Sequence, residues 1–250
     1  MNSTATAFVL LAALGLTGSL SPAQTPAPAA TAAPPAILVS GFEAFGGRTE
    51  NASWVLAQEI AKAFPNEVRS LQVPVIWGAP LTCIKDVKQL PQVWIAFGEG
   101  TSEFQIETVA HNVRGRYPDN HGTKPVTPDV VKDAEPELHL TAKVEGLAEA
   151  LTQAGFPTHV SQNAGRYLCE EMLYALLHEQ KEHPEALRLV LFIHVPPLTP
   201  TGKGAATKKE TAAGVKHKVD AEWLQAFGKQ LFASLRQQGL LPAPAAPAAH

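Results

Sequence analysis

The stretch 187–195, LRLVLFIHV, carries the strongest strand signal in the chain. Two shorter runs of the same kind precede it, AILVSG at 36–41 and QVWIAFG at 92–98. These runs are continuously apolar rather than alternating, which is typical of parallel strands that are buried on both faces. They predict a mostly parallel sheet with helices packed on both sides.

Helical patterns alternate with the strands along the rest of the body. Helices are predicted at 51–64, 80–90, 141–154, 165–180 and 220–238, and further strands at 68–75, 107–113 and 157–162. Asn51 is suited to cap the first helix, and Gly155 to end the third. The order predicts an α/β fold, a single-domain α/β/α sandwich with a mostly parallel, twisted central sheet. In such folds, chemistry lies beyond the carboxyl ends of the strands.

Both ends of the chain differ from its middle. Residues 7–16, AFVLLAALGL, are too short to span a bilayer but suit a signal-peptide core, and Ser21-Pro22-Ala23 offers a cleavage site. We therefore predict a signal peptide at 1–23, an Ala/Pro-rich linker at 24–35, a folded domain at 36–240 and an Ala/Pro-rich disordered tail at 241–250. The protein would be exported, to the periplasm or the medium. The alternative is a cytoplasmic protein with an apolar tail.

The composition excludes several partner classes. The chain of 250 residues is 45% hydrophobic and 17% charged, with a net charge of −3. Its densest basic spot is Lys208-Lys209, so we expect no nucleic-acid partner and no stable membrane insertion. No G-x-G-x-x-G or phosphate-loop pattern occurs, and the Cys and His spacings fit no zinc site, so no metal and no cofactor are predicted.

Cys169 and His194 are the first candidates for chemistry. Cys169 follows the turn-forming SQNAGR near the start of a predicted helix, where backbone N–H groups favour a thiolate. His194 ends the strongest strand, where it could act as a general base. The plainer alternatives are a small core cysteine and a strand-end histidine. A second cysteine, Cys83, raises the further alternative of a disulfide in an oxidising compartment.

Two weaker candidates complete the set. Glu107 opens a predicted strand and could orient the histidine, although most glutamates are surface charges. The loop FEAFGG at 42–47 follows the first strand. Its two phenyl rings could enclose a small flat ligand, or simply pack in a turn.

Four segments connect these candidates: GFEAFGG at 41–47, ETVAHNVRGRYPDN at 107–120, SQNAGRYLC at 161–169 and FIHVP at 192–196. In this order they resemble the pyroglutamyl peptidase I (pyrrolidone-carboxylate peptidase) family of cysteine peptidases. The resemblance extends from Ile37 to Gln238.

The resemblance implies a catalytic triad of Cys169 as nucleophile, His194 as base and Glu107 as the orienting acid. It also implies that Arg116 helps to stabilise the oxyanion. The pocket for the pyroglutamate ring would be lined by Phe42, Phe45, Tyr167 and Leu168. A neutral lactam ring suits such an apolar aromatic slot with a few amide hydrogen bonds.

The sequence departs from the family pattern at several positions. Ala44 replaces a proline, the stretch after Gly98 lacks a Gly-Arg pair, and Glu170 stands where Asn is common. Glu99 is placed by the resemblance among the substrate-binding residues, because it stands where members often carry a Gln that contacts the lactam. An ionised carboxylate, however, cannot donate to the lactam oxygen.

The implied activity is hydrolysis of the bond after an N-terminal pyroglutamate in peptides, through a thiolate and an acyl-enzyme. Assembly into a homo-dimer or homo-tetramer is a further implication of the family. The departures leave two alternatives, a related cysteine amidase with altered specificity and a non-catalytic pyroglutamate-binding protein.

Overall fold

A computed structural model describes residues 36–200 and 218–241. The strands are β1 (Ile37–Phe42), β2 (Val68–Val73), β3 (Val93–Glu99), β4 (Phe104–Glu107), β5 (Val109–His111), β6 (Glu137–His139), β7 (Thr158–Ser161) and β8 (Leu189–Val195). The helices are α1 (Ala52–Ala63), α2 (Ala79–Asp86), α3 (Glu145–Gln153), α4 (Leu168–Glu182) and α5 (Ala221–Gln237).

Six strands form the central sheet, in the order β2-β1-β3-β8-β4-β7. Neighbouring strands are parallel except β4 and β8, which run antiparallel. Strands β5 and β6 form a separate antiparallel pair. The predicted α/β fold with a mostly parallel sheet is therefore confirmed, with β4 and β7 running opposite to the other four strands.

Helices cover both faces of this sheet. Helices α1, α3 and α5 pack on one face, and α2 and α4 pack on the other. Along β3, Val93, Ile95 and Phe97 join the first core cluster, while Trp94 and Ala96 join the second. Successive side chains of a strand point to opposite faces, so burial on both faces explains the continuous apolar runs.

The predicted helix boundaries are marked by the expected residues. The Asn51 side chain accepts a hydrogen bond from the Ser53 amide at the start of α1. Asp220 accepts in the same way from Trp223 at the start of α5. Gly155 follows α3 with a φ of 93°, a left-handed conformation that glycine adopts without strain.

Two predicted elements near the candidate site were wrong in their bounds. Glu107 ends β4 instead of opening a strand, because the chain changes its hydrogen-bonding partner at Thr108. The Thr108 amide donates to the Ser161 carbonyl, whereas the Thr108 carbonyl accepts from the Leu140 amide. Helix α4 begins at Leu168 rather than at 165, because Gly165 has a φ of 87° and Tyr167 is extended. The second change places Cys169 in the first turn of α4.

Within residues 36–200 and 218–241, no helix is long and apolar enough to cross a membrane. The predicted signal peptide at 1–23, the linker at 24–35 and the tail beyond Leu241 lie outside the described residues.

Candidate active site

The centre of the site is a buried pair formed by His194 and Glu107. His194 lies near the end of β8, beside Gly98 of β3 and opposite Gln105 of β4. Its Nδ1 atom is 2.8 Å from Oε1 of Glu107, whose side chain is fully buried. Glu107 is the diagonal neighbour of His194 across the antiparallel strand pair, which brings the two side chains within reach.

The second oxygen of Glu107 is also held by the protein. Oε2 accepts a hydrogen bond of 3.2 Å from the backbone amide of Asn163, in the turn before α4. The carboxylate is therefore fixed from two sides, and its position is tied to the segment that carries Cys169. Sequence reasoning did not identify Asn163, because the contact is made by a backbone group.

Cys169 is the second residue of α4 and is half-buried. Gly98 approaches the thiol closely, since a Cβ atom added to Gly98 would lie 2.8 Å from Cys169 Sγ. In the described structure, the cap residue Tyr167 makes no side-chain cap hydrogen bond. The backbone N–H groups at this end of the helix favour a negative charge on the sulfur.

Electrostatics couple His194 to both partners. Burial lowers the pKa of His194, but the negative charges of Cys169 and Glu107 and their hydrogen bonds outweigh it and raise this pKa to about 10. Because Glu107 occupies Nδ1, we assign Nε2 as the nitrogen that faces the sulfur. With a pKa of about 10, His194 is protonated at neutral pH and lies beside the sulfur.

Close backbone approach makes this arrangement possible. A Cβ atom on Gly100 would lie 2.8 Å from the Cβ atom of His194, just as one on Gly98 would crowd the thiol. Neither glycine was identified as a site residue from the sequence. The sequence indicated their role only through position, since Gly98 lies at the end of a buried strand and Gly100 just beyond it.

The four side chains predicted to line the ring pocket lie with the thiol on one side of the sheet. Phe42 and Leu168 are buried in the second core cluster, and Phe45, Tyr167 and Cys169 pack against it. The Tyr167 hydroxyl donates to the Pro118 carbonyl at 3.0 Å, and its ring meets Trp77 edge-on at 5.2 Å. The structure thus places the predicted pocket residues and Cys169 in or against the same core cluster.

Arg116 is not part of this cluster. Its side chain is exposed and, among the described residues, forms no hydrogen bond or ion pair. Its predicted part in stabilising an oxyanion stays a prediction.

A buried ion pair anchors the loop that carries Arg116. Arg114 Nε lies 3.0 Å from Oε2 of Glu171, and its Nη2 lies 3.1 Å from Oε1. Glu171 is fully buried in α4, two residues after Cys169, and also accepts from the amide of Gly78. This pair was not predicted, because its members are distant in sequence and resemble surface charges.

Glu170, one of the departures from the family pattern, has its own partners. Its oxygens accept from the His111 amide at 2.6 Å and from Arg166 Nη1 at 2.5 Å. Burial raises the pKa of Glu170, while the His111 amide and the charge of Arg166 act in the opposite direction. The residue joins the turn before Cys169 to strand β5.

Glu99 is buried and is held by protein groups. Its side chain is 4% exposed and forms an ion pair with Arg48, while its other oxygen accepts from the Ala52 amide at 3.0 Å. The contact with Ala52 places this carboxylate at the start of α1. Both oxygens are paired with protein groups, and the predicted contact of Glu99 with substrate stays a prediction.

Cys83 and Cys169 are both free thiols, so the alternative of a disulfide is not realised. Burial, followed by the charge of Asp86, raises the pKa of the Cys83 thiol, which disfavours a reactive thiolate there.

The described residues hold no His, Cys, Asp and Glu group that could bind a metal ion. They do form a cavity of about 330 Å³, lined by Leu138, His139, Thr141, Leu177, Gln180, Lys181, Pro184, Leu187 and Arg188. None of these is a predicted site residue. We assign the site to the Glu107–His194–Cys169 arrangement, because cavity size alone supplies no nucleophile or base.

Comparison with known proteins gives a consistent result. Residues 35–221 match the family model of pyroglutamyl peptidase. A pyrrolidone-carboxylate peptidase of Enterobacter sp. (strain 638) is 34% identical over 167 residues, which cover 64% of this chain and 77% of that protein. The corresponding protein of Bacillus mycoides (strain KBAB4) is 31% identical with the same coverage.

Solved structures show the same fold. Pyrrolidone carboxyl peptidase from Fervidobacterium islandicum AW-1 is similar with a TM-score of 0.68 and 25% identity, covering 81% of this chain and 98% of that one. Pyroglutamyl peptidase I from Bacillus amyloliquefaciens is similar in fold, with a TM-score of 0.65 and 24% identity, covering 79% and 93% of the two chains.

Proposed function

Because the chain belongs to the pyroglutamyl peptidase family, we propose that it hydrolyses the bond after an N-terminal pyroglutamate in peptides. The observation that carries this proposal is the buried hydrogen bond between Glu107 and His194 beside Cys169, which lies in the first turn of α4. A nucleophile, a base in contact with it and a third group that orients the base are the parts that acyl transfer requires.

In the first half of the reaction, the Cys169 thiolate attacks the carbonyl carbon that joins pyroglutamate to the next residue. The carbonyl π electrons move to oxygen, where the α4 N-terminus is suited to stabilise the negative charge. The family resemblance implies that Arg116 assists. When the carbonyl re-forms, the C–N bond breaks and the His194 imidazolium gives its proton to the leaving amine. The product is a pyroglutamyl thioester and a shortened peptide.

In the second half, neutral His194 takes a proton from water, which attacks the thioester carbonyl. The C–S bond breaks, pyroglutamate leaves, and the thiolate–imidazolium pair is restored. Glu107 holds the ring of His194 through both halves, so that the same nitrogen serves as acid and then as base.

The proposed substrate also fits the surroundings of the thiol. Phe42, Phe45, Tyr167 and Leu168 offer aromatic and aliphatic contacts rather than a carboxylate for an ammonium group. An N-terminal pyroglutamate has a neutral lactam in place of that ammonium, so the ring can enter without an unpaired charge.

A fluorogenic substrate panel tests the proposal. The protein is incubated under thiol reductant with matched pyroglutamyl, prolyl and alanyl amides of one fluorescent amine. Selective release from the pyroglutamyl amide, abolished by iodoacetamide, is the expected result. Equal release from another amide would favour the cysteine amidase with altered specificity. Binding of the pyroglutamyl amide without release, measured by calorimetry, would favour a binding protein.

Export remains part of the proposal, and it rests on the apolar run at 7–16 and the small residues at 21–23. Fractionation of cells that express the full chain, beside a chain lacking residues 1–23, tests it. Recovery of both proteins in the cytoplasm would contradict export. The oligomeric state stays a prediction that light scattering on the purified protein measures.

A further inference from the structure

We propose that Arg48 is a positioning residue for the pyroglutamate pocket, because it pairs with Glu99 and holds Phe45 against the end of β3. This inference deepens the proposed function and rests on it. It also assigns Glu99 a part different from direct contact with the lactam.

The position of Glu99 is the first step. Glu99 directly follows Gly98, whose backbone approaches the Cys169 sulfur, and it pairs in register with Val195, the neighbour of His194. Its side chain is 4% exposed, so an unpaired charge there would be costly. One oxygen accepts from the Ala52 amide, and the other is paired with Arg48. Both carboxylate oxygens of Glu99 are therefore already paired with protein groups.

The second step is the reach of the Arg48 side chain. Its Nη1 atom pairs with Glu99, and its Nε atom donates to the Phe45 carbonyl at 3.4 Å. Its Cζ atom lies 4.2 Å from the centre of the Phe45 ring, in the geometry of a cation–π contact. A single guanidinium thus connects the end of β3 to the aromatic side chain that we place in the pocket wall.

The loop needs such a connection. Gly46 and Gly47, between Phe45 and Arg48, have φ values of 63° and 78°, and an added Cβ would meet nothing within 4 Å at either residue. A segment with two glycines and open surroundings has little packing of its own to fix Phe45. Loss of the guanidinium should therefore weaken binding of the ring and leave the Cys169–His194 chemistry intact.

A double-mutant cycle on kcat and KM for the pyroglutamyl amide tests this inference. Arg48→Gln should raise KM about tenfold with kcat changed less than about threefold, because Phe45 loses the guanidinium that holds it and the Glu99 charge is left without its cation. Glu99→Gln removes that charge and should raise KM less. The double variant R48Q/E99Q should have a KM within about threefold of Arg48→Gln alone, since both variants lack the guanidinium that holds Phe45.

The matched control is Lys62→Gln, which removes the exposed Lys62–Glu59 pair of α1 and should leave both constants unchanged. Thermal unfolding of each variant separates a local effect on the pocket from loss of fold. A normal KM for Arg48→Gln, or additive effects in R48Q/E99Q, would overturn the inference.

A further measurement separates this inference from the proposed function. Calorimetry with 2-pyrrolidone, which has the lactam ring but no scissile bond, is performed on the wild type and Arg48→Gln. Weaker binding to the variant supports the inference even if no amide is cleaved. Equal binding to both proteins contradicts it, whatever the turnover results.

Discussion

His194 donates a hydrogen bond of 2.8 Å from Nδ1–H to Oε1 of Glu107, with both side chains buried. The bond leaves Nε2 free to face Cys169. It also fixes the orientation of the ring while His194 passes between the two protonation states that acyl transfer needs. A second hydrogen bond, from the Asn163 amide, keeps the carboxylate itself in place.

Replacing Glu107 with Gln tests this orientation. The Gln side chain can donate to Nδ1 and so favour the wrong tautomer, and kcat/KM for the pyroglutamyl amide should fall about 10²- to 10⁴-fold. Glu103→Gln is the control, because Glu103 forms an exposed pair with His159. A Glu107→Gln variant with the wild-type rate would show that the carboxylate does not orient His194.

Gly98→Ala tests the close approach of β3 to the thiol. The new Cβ atom would lie 2.8 Å from both Cys169 Sγ and the Phe192 ring. We expect kcat to fall at least about tenfold and stability to fall by about 1–3 kcal/mol, as in other overpacked sites.

Gly146→Ala is the control for that variant, measured by the same kinetics and urea unfolding. Gly146 lies in α3, and its added Cβ would meet only the Gln238 side chain at 3.8 Å or more. Alanine should raise stability there by up to about 1 kcal/mol without changing the rate. Equal effects of the two substitutions would contradict the proposed crowding at the thiol.

The raised pKa of His194 predicts a dependence of stability on pH. The folded-state pKa is about 10, against an ordinary value of 6.5, so the folded protein holds this proton more tightly. Its contribution to stability is complete below pH 6.5 and is lost as the pH rises towards 10. The melting temperature of the wild type should therefore fall more between pH 7 and 10 than that of His194→Gln. Parallel curves would contradict the raised pKa of His194.

Arg114→Met tests the buried ion pair behind the site. Glu171 would be left fully buried without its cation, and stability in urea should fall by about 3 kcal/mol or more. Lys62→Gln, which breaks an exposed pair, should change it by less than about 1 kcal/mol. An unchanged urea midpoint for Arg114→Met would show that other contacts compensate for the charge of Glu171.

Local patterns in the sequence predicted most of the fold. The runs that became β1, β3 and β8, and the cap at Asn51, are set by residues within a few positions of one another. The end of β4 at Glu107 and the late start of α4 were not predictable in this way. They depend on a change of pairing partner at Thr108 and on backbone angles at Gly165 and Tyr167.

The site also combines residues that have a local signal in the sequence with contacts that depend on the folded chain. Cys169 and His194 occupy positions with a local signal, at a helix start and a strand end, and the family resemblance added Glu107. The contacts of Arg48 with Glu99 and of Arg114 with Glu171 join residues 51 and 57 positions apart. Each partner alone looks like an ordinary surface charge, and only the folded chain shows that one member of each pair is buried.

The most direct test compares Cys169→Ser with Cys83→Ser, each assayed for release of the fluorescent amine from the pyroglutamyl amide under reductant. Cys83 is the matched control, because it is a free, partly buried thiol in α2 whose pKa is raised by burial. We predict that Cys83→Ser keeps the wild-type rate and that Cys169→Ser loses at least about 10³-fold in kcat/KM. A Cys169→Ser variant that releases the amine at the wild-type rate would contradict the assignment of Cys169 as the nucleophile.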